Sequence, residues 1–388
     1  MCIKLEKIKI CYIIVNCKIT GPMNQTLNII KNLDSKKYDV SFITLFEEEK
    51  NNSMIDDYLK VCSNNYCLKL NKISSILYGK FALKKILNII NPDIIHALGM
   101  PPYRLSLHYK NSKHLVTLRN YAYEDYPTYY NKIIGPILAF MDINLIKRQI
   151  KSGETFVTCS KSLSKIYYDK ENIKIDYIQN GVDISKYIKG KQEEKKKLRK
   201  KLDLPNDGVI AIYTAPFIGR KDQEFAIKGI LNCKEENIYL VLCGDGTNYK
   251  ELYDKYNKYP NIIFTGKVKN ISEYLRSADF YLSTSQSEGM PNSVLEAMSS
   301  GIGVLLSNIS QHMELFDINN NIGEYFELGN MEDLTNKIKL MKEKDFSYIG
   351  EESYKTIINN LTSLIMSEKY QKLYENLVIG DKNERKNK

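Results

Sequence analysis

Two glutamates, Glu288 and Glu296, stand eight positions apart in SEGMPNSVLEAM, residues 287–298. Gly289, Met290, Pro291 and Asn292 follow the first and carry a turn signal, and the second lies in an apolar run of helical period. Glycine lets backbone come close to a ligand, and proline near a helix start directs the chain into the helix. The amide groups of such a turn, together with the positive end of the helix, form an anion site. Pro291 has no N–H to give. Carboxylates beside an anion site do not bind the anion; they accept hydrogen bonds from hydroxyls on either side of it. A molecule with hydroxyl, phosphate and hydroxyl in a row is a nucleotide sugar. A structural reading competes: Ser293-x-x-Glu296 fits a capping box, in which Glu296 only satisfies an amide at the helix start. That reading leaves Glu288, Gly289 and Pro291 unexplained.

The elements that would position these residues alternate between strand-like and helix-like runs, the pattern of parallel α/β layers. In the first half, Ile8–Val15, Val40–Leu45, Ile94–Ala97, Leu115–Leu118 and Thr155–Ser160 read as strands. Val209–Tyr213, Tyr239–Cys243, Ile262–Thr265, Phe280–Ser283 and Val304–Ser307 repeat the design. The 388 residues suggest two domains. The expected boundaries are a first domain over 1–185, a linker over 186–207, a second domain over 208–360, and a terminal helix over 361–388 packing back on the first domain and ending in a polar tail. The charge run Lys191–Lys201 reads as a solvated helix face.

Composition narrows the class. At 43% hydrophobic and 26% charged residues the chain resembles an ordinary soluble protein. Its eight cysteines form no CxxC and its four histidines are dispersed, which argues against a metal site and fits free thiols in a reducing cytoplasm. No run of about 18 apolar residues would span a membrane. The charge is uneven: residues 1–190 hold 28 Lys and Arg against 17 Asp and Glu, so the first half faces something anionic, or simply reflects lysine-rich composition. There is no GxGxxG after the first strand and no GxxxxGK[ST], which disfavours a dinucleotide oxidoreductase and a P-loop ATPase. No nucleic-acid module is recognisable.

Glu288-x7-Glu296 resembles the signature of retaining glycosyltransferase family 4, the glycosyl transferases group 1. Further segments fall in that family's order: Asp93-Ile-Ile-His96, Asn180-Gly-Val-Asp183, Phe217-Ile-Gly-Arg220-Lys221-Asp222, Cys243-Gly-Asp-Gly246, Phe264-Thr-Gly266-Lys-Val268 and Ala278-Asp279. The resemblance implies a GT-B fold, an α/β architecture of two facing Rossmann-like domains with parallel sheets and a deep cleft between them. It implies that Glu288 holds hydroxyls of the donor sugar, that Glu296 binds the ribose, and that Gly289, Met290, Pro291, Asn292, Gly21 and Gly266 line the donor site. Arg220 and Lys221 would neutralise the departing diphosphate, a role that elsewhere falls to a metal, so no metal or other cofactor is expected. No protein nucleophile is implied; the leaving phosphate takes the acceptor's proton.

The first domain departs from the family pattern. Thr20-Gly21-Pro22-Met23 has one glycine where the family often has two, and Arg119 stands where a histidine is frequent. Arg119 and His96 are the candidates for a sugar or phosphate contact in this domain. A tyrosine-rich stretch, Tyr121–Tyr130, precedes the apolar run Ile133–Ile150, which reads either as a helix packed on its own sheet or as a basic amphipathic surface for anionic membrane. The expected activity is transfer of a hexose-type sugar from a nucleotide diphosphate sugar to a polyprenyl-diphosphate-linked saccharide. That would occur in O-antigen or capsule assembly, on the cytoplasmic side and peripheral to the membrane, without nucleic acid. The alternatives are a nucleotide-sugar 2-epimerase of the same fold and a non-catalytic sugar-nucleotide-binding protein.

Overall fold

The computed structural model describes residues 6–49, 51–234 and 237–386. The chain divides into two units, Met1–Asn180 with Ser363–Lys388 and Gly181–Thr362. The first holds a parallel sheet of β1 (Ile8–Ile14), β2 (Tyr38–Phe46), β3 (Asn64–Leu70), β4 (Ile94–Leu98), β5 (Lys113–Leu118), β6 (Thr155–Thr158) and β7 (Asp176–Tyr177). Its order is β3-β2-β1-β4-β5-β6-β7. The second holds β8 (Val209–Thr214), β9 (Ile238–Cys243), β10 (Ile262–Gly266), β11 (Phe280–Ser283), β12 (Gly303–Ser307) and β13 (Gly323–Phe326), in the order β10-β9-β8-β11-β12-β13. Both are doubly wound α/β units, and in both the strand order reverses beside the first strand of the unit.

Central strands are continuous apolar runs because helices cover both faces. Ile10, Tyr12 and Ile14 point into one layer with Leu27, Ile30 and Tyr58; Cys11 and Ile13 point into the other with Leu83, Leu87 and Tyr109. Strands β3, β7 and β13 were not expected from the sequence. Each lies at a sheet edge, where one side has no neighbour and the apolar run is broken: β3 alternates between exposed and half-buried positions.

Helix Ser363–Lys386 belongs to the first unit. Met366, Tyr370 and Tyr374 sit in the same core layer as Leu27, Ile30 and Tyr38. A buried polar chain fixes it further: Tyr12 Oη lies 2.6 Å from Tyr374 Oη, which lies 2.8 Å from His96 Nδ1. His96 Nε2 reaches Thr117 Oγ1 at 2.8 Å, and Thr117 reaches Tyr370 Oη at 3.0 Å.

The stretch 186–207 is not a linker. Its helix Gln192–Lys201 is part of the second unit. Arg199 is buried and donates to Ser277 O, Asn206 O, Gly208 O and Asp279 Oδ2, the last at 2.6 Å. Asp279 also accepts from Lys195 and from the Ile210 amide at the start of β8. One face of the charge run is solvated as expected, but this one arginine anchors the helix. The chain enters the second unit at Gly181 and leaves after Thr362, where Val182 and Thr362 form a parallel bridge.

Candidate functional site

In an open α/β sheet, ligands bind outside the carboxyl ends of the strands where the order reverses. In the second unit that point lies between β8 and β11, which pair through Ala211 with Phe280. After β8, Gly219–Lys221 makes one tight turn, and Asp222 adopts a left-handed conformation (φ 47°) while its carboxylate accepts from the Phe225 amide to open helix Gln223–Asn232. The loop after β11 is stitched to this turn. Thr284 Oγ1 donates to Asp222 O at 2.7 Å, and the Gln286 amide donates to Arg220 O at 2.8 Å. Behind it, the Gly244-Asp-Gly246 loop crosses the backbone of 215–217 so closely that a Cβ on Gly244 would lie 2.0 Å from Ala215 O. The two glycines therefore serve packing beneath the basic turn. Gly266 closes β10 at φ 66°, and its carbonyl accepts from the Gly244 amide.

This stitching brings Glu288, Arg220 and Lys221 into one buried cluster. Lys221 Nζ binds Glu288 Oε1, Ser285 Oγ donates to the same oxygen at 2.7 Å, and Arg220 Nη1 reaches Oε2 at 3.1 Å. Arg220 also donates to Ser287 O at 2.6 Å. Glu288 is only 9% exposed, and burial alone would raise its pKa. Lys221 and then Arg220 outweigh that burial and lower it to about 2. A carboxylate offers about four acceptor sites. Three are occupied here, which leaves room for one hydroxyl. Two cations against one carboxylate leave a net positive cluster, suited to an anion. Ion pairing also keeps the carboxylate ionised at any physiological pH.

His312 lies near enough to feel the charge of Glu288, although from sequence this histidine was weighed only as a metal ligand. It is fully buried in the first turn of helix Ser310–Ile318, just beyond β12. Its Nδ1 lies 2.9 Å from Ser307 O, so Nδ1 carries the proton and Nε2 is a bare acceptor. Nε2 has no hydrogen-bond partner among the described residues. Burial lowers its pKa to about 4 against the opposing pull of Glu288, so the ring is neutral. The legible signal was its place: a polar residue directly after a strand next to the reversal point.

The capping-box reading of Glu296 does not hold. Helix Asn292–Ser299 starts at Asn292 with Pro291 as its cap, so Glu296 lies more than a turn inside. Ser293 Oγ instead accepts from Tyr281 Oη at 2.8 Å. Burial raises Glu296 to about 7, eased by a hydrogen bond with Tyr187 and by Lys186. Of the expected turn amides, that of Asn292 is spent within the turn on Met290 O, and Met290 itself is buried, as is Pro291. Gly289 sits beside Glu288 in the buried loop.

In the first unit, Gly21 is the first residue of helix Gly21–Lys31, reached from β1 through Thr20. Arg119 follows β5. Its Nη1 donates to Asn180 Oδ1 at 2.6 Å, while Nε and Nη2 are buried and have no partner among the described residues. His96 does not serve as a ligand contact: it is fully buried, and both ring nitrogens are taken by Tyr374 and Thr117. Burial, with Arg119 adding to it, lowers its pKa to about 3 and keeps it neutral.

Comparison with known proteins bears on both units. The family model "Glycosyltransferase Family 4" matches residues 19–186, and "Glycosyl transferases group 1" matches 194–363. The O-antigen biosynthesis glycosyltransferase WclY of Escherichia coli is 28% identical over 382 residues, covering 95% of this chain and 98% of its own. The Escherichia coli UDP-Gal:alpha-D-GlcNAc-diphosphoundecaprenol alpha-1,3-galactosyltransferase is 23% identical over 404 residues, covering 97% and 98%. Among solved structures, Anabaena HepE in complex with UDP and glucose superposes with a TM-score of 0.75 at 16% identity, covering 95% of this chain and all of that one.

Proposed function

Because the chain belongs to glycosyltransferase family 4, with the GT-B fold of two Rossmann-like units, we propose that it is a retaining, metal-independent hexosyltransferase of surface-polysaccharide assembly. The observation that carries this reading is Glu288, held ionised by Arg220 and Lys221 at the strand-order reversal of the second sheet. In the proposed reaction the second unit holds a nucleotide diphosphate sugar. Glu296 accepts from the ribose hydroxyls. Glu288 uses its remaining acceptor site, and His312 Nε2 its lone pair, for hydroxyls of the hexose. Arg220 and Lys221 stabilise the charge that grows on the diphosphate as the glycosidic bond breaks, and fixed cations of this kind are commonly worth about 3 kcal/mol. The leaving phosphate takes the acceptor hydroxyl's proton on the same face, so the anomeric configuration is retained. Full-length similarity to an O-antigen transferase and to an enzyme named for a diphosphoundecaprenol acceptor supports a lipid-linked saccharide as acceptor. No helix among the described residues is long and apolar enough to cross a membrane, so the acceptor would be met at the membrane surface.

The test is a thermal-shift panel of UDP, GDP, CMP and their common sugars in EDTA, followed by turnover of the selected donor. Ligand binding to the native state raises its melting point. A selective shift by one nucleotide diphosphate, and turnover insensitive to EDTA, are expected. Turnover that needs an added divalent ion would overturn the assignment of Arg220 and Lys221.

A further inference from the structure

The first unit carries two apolar shoulders that none of the described residues covers. The first is the junction of helices Lys72–Leu77 and Gly79–Ile90, with Ile73 72%, Ile76 79% and Phe81 78% exposed. The second is the start of helix Ile134–Lys151, with Ile133 74%, Ile137 57% and Phe140 60% exposed. Buried Ala139, Ile143 and Ile146 mark one side of this second helix as packed; it is apolar on its outer side as well.

The topology puts both shoulders at one place. The steps β3 to β4, β4 to β5 and β5 to β6 all run in one direction across the sheet. Right-handed crossovers then place their helices on one side. Helix Met100–Ser106 lies between the two and touches each: Leu105 packs at Gly79, and Arg104 pairs with Asp142 at 2.7 Å. Helix Lys72–Leu77 begins just after β3 ends, and helix Ile134–Lys151, which follows β5 and helix Ala122–Tyr129, runs back to the start of β6, so both shoulders stand toward the carboxyl edge of the sheet.

The charge around them has one sign. Residues 71–92 hold four lysines and no acid, and residues 131–151 hold four basic residues and one acid, Asp142, which is buried against Arg104. Lys80, Lys84, Lys85 and Lys132 are exposed and make no ion pair among the described residues, while Lys147, Arg148 and Lys151 lie at the far end of the second helix. Glu124 and Asp125 on the neighbouring helix Ala122–Tyr129 are engaged by Lys170 and Asn120.

We propose that this face docks the protein on an anionic lipid bilayer, with the two shoulders inserted at the headgroup boundary and the lysines on the phosphates. Exposed apolar side chains rimmed by unpaired lysines are what such a surface binds, through buried apolar area and attraction to anionic headgroups together. A second copy of the chain is a poorer occupant, since two faces of the same charge repel. The docking stands apart from the transferase reading; only its purpose, reaching a lipid-linked acceptor, rests on it.

Co-sedimentation of the full chain with phosphatidylcholine vesicles, with and without phosphatidylglycerol, tests the proposal. Binding to the anionic vesicles is expected to exceed binding to the neutral ones by at least about tenfold and to weaken in high salt. Ile76→Ser/Phe81→Ser/Ile133→Ser/Ile137→Ser and, separately, Lys80→Gln/Lys84→Gln/Lys85→Gln should each lower anionic binding by about tenfold or more. Both variants should keep the melting temperature and the nucleotide-induced shift, which reads the second unit alone. No vesicle binding, equal binding to neutral vesicles, or variants that bind like the parent would overturn it. So would a dimer in light scattering that the apolar variant dissolves, because the face would then be an interface between copies.

Discussion

The carboxyl edges of the two sheets handle buried charge in opposite ways. In the second unit, Glu288, Arg220, Lys221 and Ser285 satisfy one another before any ligand arrives. In the first, Arg119 makes one hydrogen bond to Asn180 and leaves two donors buried and unpaired. A satisfied cluster is rigid and preorganised, and its cations need no rearrangement when charge develops. An under-satisfied guanidinium costs free energy, commonly about 1–3 kcal/mol for each lost partner, until something anionic or hydroxylated completes it. Under the proposed function, the contrast fits a second unit that holds the donor, and Arg119 is the residue of the first unit whose bonding a ligand would complete.

The comparison can be broken most sharply at Glu288. Glu288→Gln should lower turnover by about a thousandfold. It also strips Lys221 of its counter-charge, and breaking a buried pair on one side costs about 3–5 kcal/mol of stability. The variant Lys221→Met/Glu288→Gln should recover the fold and remain inactive. Near-normal turnover in folded Glu288→Gln would end the assignment.

Asp279→Ala probes the same unit away from the site. It leaves Arg199 buried without its carboxylate, so chemical denaturation should show a loss of about 3 kcal/mol. An unchanged midpoint would mean that Gln192–Lys201 is a solvated connection after all.

Arg119→Met separates cost from use. Removing two unpaired donors should leave the melting temperature unchanged or raise it. The same change should lower kcat/KM by about 10- to 100-fold, the loss of one charge-assisted contact. A parallel fall in stability and activity would make Arg119 structural.

The smallest effect is in pH. Glu296 sits near 7 and accepts best when ionised, so donor affinity should rise a few-fold from pH 6 to pH 8, and Glu296→Gln should flatten the profile. Its effect on folding has the other sign. The folded state holds a proton that the unfolded state has released, so this group's contribution to stability falls as pH rises from about 4.5 to about 7. Glu288, lowered to about 2, contributes stability that is lost as pH falls from about 4.5 towards 2. Titration of melting temperature in the two variants distinguishes the carboxylates.

Legibility followed burial. Buried central strands announce themselves as apolar runs, while the edge strands β3, β7 and β13 do not. Glu288, Arg220 and Lys221 were legible as a motif but not as one cluster, because their 67- and 68-residue separations say nothing about distance. His312 was passed over because a lone histidine carries no pattern. His96 was legible as a motif residue and turned out to be core, since only packing shows that both its nitrogens are taken. Arg199 looked like one more charge in a solvated run.

By itself, the sequence determined two α/β units, the succession of their strands apart from β3, β7 and β13, the turn signal between Glu288 and Glu296, and the family. Those are local matters of period, turn chemistry and residue order along the chain. Tertiary structure alone decided which charges meet. It set Glu288 to about 2 and Glu296 to about 7, sealed His96, left two donors of Arg119 unpaired among the described residues and gathered two apolar shoulders on one face. The physical reason is that desolvation and pairing depend on neighbours in space, and two glutamates eight residues apart differ only once the fold surrounds each of them.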